Sequence, residues 1–181
     1  MKARLVLLAL VALALPQRAH AQSCTATKFL GFFWFGCNIN TTATMTVGTV
    51  MQLTLSGTTT TLTPPTVAGY TAGFMADNGP TATVRCNQAW HLQIASAATT
   101  WTATNTVAGI TARPNKPSTD LQWSLAANGT FAGLTTTAVT VTNGTATAGT
   151  ATNFFYHTLY GYAVDTPGKY TLAVVYTLIS P

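Results

Sequence analysis

From Thr44 to Ile179 the chain repeatedly sets an apolar residue against a polar one at a period of two. Side chains of a strand point alternately to opposite faces, so this period predicts strands. In TMTVGTVMQLTL (44–55), Met45, Val47, Met51, Leu53 and Leu55 share one face, with threonines and Gln52 on the other and Val50 an exception. In TATVRCN (81–87), Ala82, Val84 and Cys86 oppose Thr83, Arg85 and Asn87. WHLQI (90–94), LQWSL (121–125) and TAVTVT (137–142) alternate in the same way, as do NFFYHTLY (153–160) and KYTLAVVYTLI (169–179). In the last of these, Tyr170, Leu172, Val174, Tyr176 and Leu178 line one side. No stretch of helical length carries a convincing 3.6-residue pattern with caps.

Turn chemistry separates the strands. Asn78-Gly79-Pro80, Asn128-Gly129, Asn143-Gly144 and Asp165-Thr166-Pro167-Gly168 predict turns, because Asn and Gly tolerate positive φ and Pro fixes φ. Residues 58–73, with Pro64-Pro65 extended, and 112–120 read as connections. About seven to eight strands in one domain predict an all-β fold, an antiparallel immunoglobulin-like β-sandwich, with a closed barrel as the structural alternative.

The first residues, MKARLVLLALVALALPQRAHAQ, predict a different fate. Lys2 and Arg4 precede an apolar run from Leu5 to Leu15, and Ala19-His20-Ala21 forms a small-residue cleavage site. That is the pattern of a secretory signal peptide over 1–21. The expected organisation is then 1–21 signal peptide, 22–43 N-terminal segment and 44–181 sandwich. Removing the leader changes the charge. Of eight basic residues, Lys2, Arg4 and Arg18 leave, and five against three acids give a net of +2. The five are scattered rather than gathered in a basic patch, which argues against nucleic acid as a partner. So few charges also permit copies of the chain to approach closely.

Three cysteines remain after Ala21, an odd number for an oxidising compartment. Cys24 and Cys37 bracket KFLGFFWFG (28–36) and are expected to form a disulfide. Cys86 then stays a buried free thiol on the apolar face of its strand. The alternative pairs Cys37 with Cys86 and leaves Cys24 for an intermolecular bond. Between the first two cysteines, Phe29, Leu30, Phe32, Phe33, Trp34 and Phe35 form a concentrated apolar cluster with glycines at Gly31 and Gly36. It reads either as a hairpin plugging the sandwich or as an interaction surface for another subunit or a lipid surface.

Chemistry-bearing patterns are sparse. There is no CxxC or HxxxH, so no metal site and no cofactor are expected. The three acids are Asp77, Asp120 and Asp165, and Asp77 and Asp165 sit in predicted turns, where the side chain caps local backbone. No serine lies in GxSxG, and no enzyme is expected. His91 and His157 read as strand surface residues. Trp90, Trp101 and Trp123 with Tyr156, Tyr160 and Tyr162 offer a sugar-stacking platform, so a glycan is an alternative partner. Trp90 and Trp123 read more simply as core, and one strand face carries the tyrosines outward.

The ending DTPGKYTLAVVYTLISP (165–181) resembles the closing strand of secreted bacterial immunoglobulin-like domains, among them spore-coat-U-like and pilin-type surface subunits. The resemblance implies a structural, non-catalytic subunit of the cell surface, secreted or periplasmic, whose partners are other copies of itself or surface proteins. Pilin-type subunits join by adding an extended segment of one copy to the open sheet of the next. The chain departs from that pattern in its N-terminal extension, which carries the Cys-bracketed aromatic cluster in place of a plain alternating strand.

Overall fold

The computed structural model describes the backbone of residues 28–29 and 33–34, and Ile39 and residues 41–181 in full. The chain divides into two units, Met1–Thr46 and Val47–Pro181. In the first, β1 (Lys28–Phe29) pairs antiparallel with β2 (Phe33–Trp34), Lys28 facing Trp34 and Phe29 facing Phe33.

The second unit begins with β3 (Met51–Leu55), a six-residue helix α1 (Val67–Ala72), β4 (Phe74–Cys86), β5 (Trp90–Ser96) and β6 (Thr102–Thr104). It continues with β7 (Leu121–Ser124), β8 (Ala132–Gly133), β9 (Val139–Gly144), β10 (Thr147–Leu159), β11 (Lys169–Thr171) and β12 (Val174–Ile179). One sheet has the order β3-β4-β10-β7-β8 and the other β12-β5-β9, with β11-β6 as a short third ladder. Every pairing is antiparallel. This is the expected all-β sandwich.

The larger sheet's β3-β4-β10-β7 follows the A-B-E-D order of an immunoglobulin sandwich, and β12 beside β5 matches its F beside C. β9 departs from that order, since it flanks β5 but lies between β7 and β10 in the chain. β12 is an outer strand of its sheet, so one of its edges makes no ladder pairing among the described residues.

The core follows from the alternation. Ala82, Val84 and Cys86 of β4, Trp90, Leu92 and Ile94 of β5, and Phe154 and Tyr156 of β10 are buried between the sheets, with Trp101, Leu121 and Leu134. Each of the larger side chains contributes about 1.5–3 kcal/mol by leaving water. Tyr170, Leu172, Val174, Tyr176 and Leu178 pack against this core as their shared face predicts. The run that carries them is split, however: β11 joins β6 and β12 joins β5, with Leu172-Ala173 between.

Several local expectations are corrected. Strand pairing does not reach back to Thr44. β3 starts at Met51, and Met45 and Val47, expected on the buried face, are 83% and 68% exposed. The ladder stops because β4 ends at Cys86, opposite Met51, and Asn87 closes it with a side-chain acceptor for the Val50 amide at 2.9 Å. Leu125 lies past the end of β7 and is exposed, while Trp123 is only half-buried. Residues 58–73 are not wholly irregular. Thr66 caps α1, its hydroxyl accepting from the Gly69 amide, and Gly73 ends it at φ 82°.

Asn78-Gly79-Pro80 is not a turn. It lies within β4, where Gly79 and Pro80 together oppose Phe154 of β10. That is a β-bulge, and a bulge accepts proline because its extra residue need not donate to the ladder. Glycine is required by crowding, since a Cβ on Gly79 would lie 3.0 Å from Phe154 Cβ and 2.9 Å from the Tyr156 ring. Asn143-Gly144 is likewise the end of β9 and not a hairpin, for β9 and β10 belong to different sheets. Gly144 lies against the Trp90 indole, and a Cβ there would come within 2.8 Å of the ring. Gly144→Ala is accordingly expected to destabilise the domain by about 1–3 kcal/mol, measured by chemical unfolding. Asn128-Gly129 does lie in the β7–β8 hairpin connection, as expected.

Candidate functional site

A groove of about 1040 Å³ opens along the second unit. Leu55 of β3 and Val174 and Tyr176 of β12, the outermost strands of the two sheets, line it. Its floor is largely apolar, with Trp101, Leu121 and Tyr156 from the core. One wall is the extended run Gly57–Leu62 with Pro64 and Pro65, and the other is Asp165–Val174. The first wall belongs to no strand, so its backbone groups make no ladder bonds. Beneath the floor the hydroxyls of Tyr156 and Tyr176 hydrogen-bond each other, and burial raises both phenol pKa values.

Side-chain carboxylates hold both walls. Asp77 of β4 accepts from the Thr63 amide at 3.0 and 3.1 Å and from the Thr63 hydroxyl at 2.6 Å. On the other side Asp165 accepts from Lys116 Nζ at 2.9 Å, from Arg113 at 3.1 Å and from the Gly161 amide at 2.9 Å. Asp120 backs this cluster, 3.1 Å from Lys116 Nζ and 3.4 Å from Arg113. Lys116 is 1% exposed, and its third partner is the Leu159 carbonyl at 2.7 Å. Burial pushes the Asp165 carboxyl pKa up. Hydrogen bonds from Lys116, the Gly161 amide and Arg113, with the Lys116 charge, outweigh that and hold it below its ordinary value.

Tyr160 lines the groove within the influence of both carboxylates. Burial, then the charge of Asp77, chiefly push its phenol up to about 12. Lys116 Nζ stands 5.0 Å from the centre of its ring. Tyr70 joins Tyr160 and stacks on Tyr162, with ring centres 4.5 Å apart, and Tyr162 is 66% exposed.

The residues singled out from sequence fare unevenly. Cys24, Leu30, Phe32, Phe35 and Cys37 lie outside the described residues, and Phe29, Phe33 and Trp34 enter only through the β1–β2 backbone pairing. Cys86 is buried with a free thiol. Trp90 and Trp101 are both buried, which removes them from any sugar-stacking platform. Tyr156 points into the core and not outward. Asp77 lies in a strand rather than a turn, and Asp165 combines the expected local cap, on Gly161, with an ion cluster that the sequence does not announce. His157 is held between the Phe131 and Phe74 rings, at 3.5 and 4.2 Å, and burial lowers its pKa. Among the described residues no group of three or more His, Cys, Asp or Glu converges, and no helix is long and apolar enough to cross a membrane. No protein-family model matches the chain, and no curated protein matches it in sequence.

Proposed function

We propose that the protein is a secreted, non-catalytic structural or interaction subunit of the cell surface that associates with copies of itself, an extended segment of one copy lying in the groove of the next. The observation that carries this reading is the groove beside the unpaired edge of β12. An unpaired strand edge offers a row of donors and acceptors to an incoming strand, and adjoining pockets take its alternate side chains. The chain has a matching segment. Residues 41–47, before the contacts of Gly48, Thr49 and Val50 with Asn87 and Gln88, pair with no strand of the second unit, alternate through Thr44, Met45, Thr46 and Val47, and are exposed throughout. The leader at 1–21 supports export, and the aromatic cluster at 29–35 is a further contact surface in the same reading.

The test is sedimentation velocity of residues 22–181 over a concentration series. The parent is expected to form oligomers. Met45→Asp with Val47→Asp is expected to weaken association by about tenfold or more, since each apolar side chain is worth about 1.5–3 kcal/mol when buried and 1.4 kcal/mol is tenfold. A parent that stays monomeric at every concentration rules this reading out. A second reading, a carbohydrate-binding module, draws on the exposed Tyr162 ring stacked on Tyr70. It requires binding on a glycan array that Tyr162→Ala abolishes.

A further inference from the structure

We infer that Asp77 and Asp165, with Asp120 behind the second, are positioning residues that set the two walls of the groove. The inference rests on the groove being the association site. The sequence contains only three acidic residues, all aspartate. A domain with so few carboxylates could have left them on its surface as solubilising charge. Instead each has a specific partner, and each partner leads to a wall.

Asp77 fixes the first wall through Thr63, where three contacts converge on one residue. Leu62 of this run packs against the core, and among the described residues, between Ser56, bonded to Thr81, and Thr66, which caps α1, the Thr63–Asp77 contacts are the hydrogen bonds that join it to a sheet. A carboxylate suits that task, because hydrogen bonds to a charged acceptor are about twice as strong as neutral ones.

Asp165 fixes the second wall at its start. The segment 111–116 forms a brace behind it. Lys116 and Arg113 hold the carboxylate, the Arg113 amide donates to the Tyr170 hydroxyl at 2.9 Å, and the Thr166 hydroxyl donates to the Thr111 carbonyl at 2.7 Å. Asp120 completes the brace by holding the two cations from the far side. Its arrangement accounts for an otherwise costly buried lysine: Lys116 carries the second wall's charge partner to a place that solvent does not reach. None of the charged groups of the brace belongs to the buried hydrophobic core, although Tyr170 packs against it.

The experiment combines amide hydrogen exchange with sedimentation velocity on residues 22–181, comparing the parent with Asp77→Ala and Asp165→Ala. Asp77→Ala is expected to speed exchange across 57–65 by about tenfold or more and to leave 160–174 unchanged; Asp165→Ala is expected to do the reverse. In both, β4, β5 and β10 amides stay within about twofold of the parent, and self-association weakens by about tenfold or more. Asp77→Asn and Asp165→Asn, which each keep one acceptor oxygen, give intermediate values and serve where an alanine variant fails to fold. Walls that exchange as in the parent overturn the inference. So does core exchange accelerated as much as the walls, or loosened walls with association unchanged. A monomeric parent counts against the association reading alone, and the exchange pattern still decides the positioning role.

Discussion

Trp90→Ala is expected to cost about 3–5 kcal/mol of unfolding free energy, the range for truncating a fully buried aromatic. The indole is 2% exposed and stands at the start of β5, opposite Gly144 of β9. Its N–H donates to the Thr145 carbonyl at 2.8 Å, so alanine both opens a cavity and strips that carbonyl of its partner. Gly144 has no side chain with which to fill the space. Domains of this size are stable by about 5–15 kcal/mol, so the variant should lose a large share of its margin. Urea denaturation followed by circular dichroism reads the loss. Trp90→Phe separates the two causes, since it keeps most of the volume and leaves the carbonyl unpaired; about 1–3 kcal/mol is expected. A Trp90→Ala midpoint equal to the parent's would contradict the core assignment.

Lys116→Ala is expected to act on a different part of the molecule. Removing one member of a buried ion pair costs about 3–5 kcal/mol, because its partner is left uncompensated. Here Asp165 keeps Arg113 but loses its closest cation, and Asp120 loses one too. The cost should appear as easier opening of 160–174, read by native-state hydrogen exchange, before it appears in global unfolding. Acid should mimic the variant. The folded Asp165 pKa lies below its ordinary value of 3.8, so the ionised carboxylate binds fewer protons folded than unfolded. Its stabilisation is fully present above that value and is lost as pH falls through the folded pKa. Exchange in 160–174 should therefore be independent of this group at neutral pH, after correction for intrinsic rates, and accelerate below about pH 4. Acceleration setting in near pH 6 would point to another group.

Much of the sandwich was legible because alternation is local. Ala82, Val84, Cys86, Trp90, Leu92 and Ile94 declare their buried face within a few residues, and the C-terminal run does so even though it serves two ladders. Turn signals were ambiguous for a physical reason. Glycine and proline mark any place where the regular ladder is interrupted, and Gly79-Pro80 interrupts β4 by bulging it while Asn128-Gly129 ends a strand outright. Gly144 was needed for closeness to an indole, which no neighbouring residue reveals. The alternation at Met45 and Val47 promised a strand but could not say where its partner ends. The site was less legible still. Arg113, Lys116 and Asp120 stand together in one short connection, which was the single local hint of an ion cluster. Asp165 reaches them only through the tertiary fold. A groove between the outer strands of two sheets has no local signature at all.

The unpaired edge of β12 also bears on what the stability of this protein means. If a second copy supplies the neighbouring strand, association and folding are linked by mass action, and the folded state gains stability with each increase in the concentration of partner. A melting temperature measured on a dilute sample would then describe the domain with that edge uncovered. The same chain at higher concentration would melt later with no change of sequence, so its unfolding temperature would depend on how crowded it is with copies of itself.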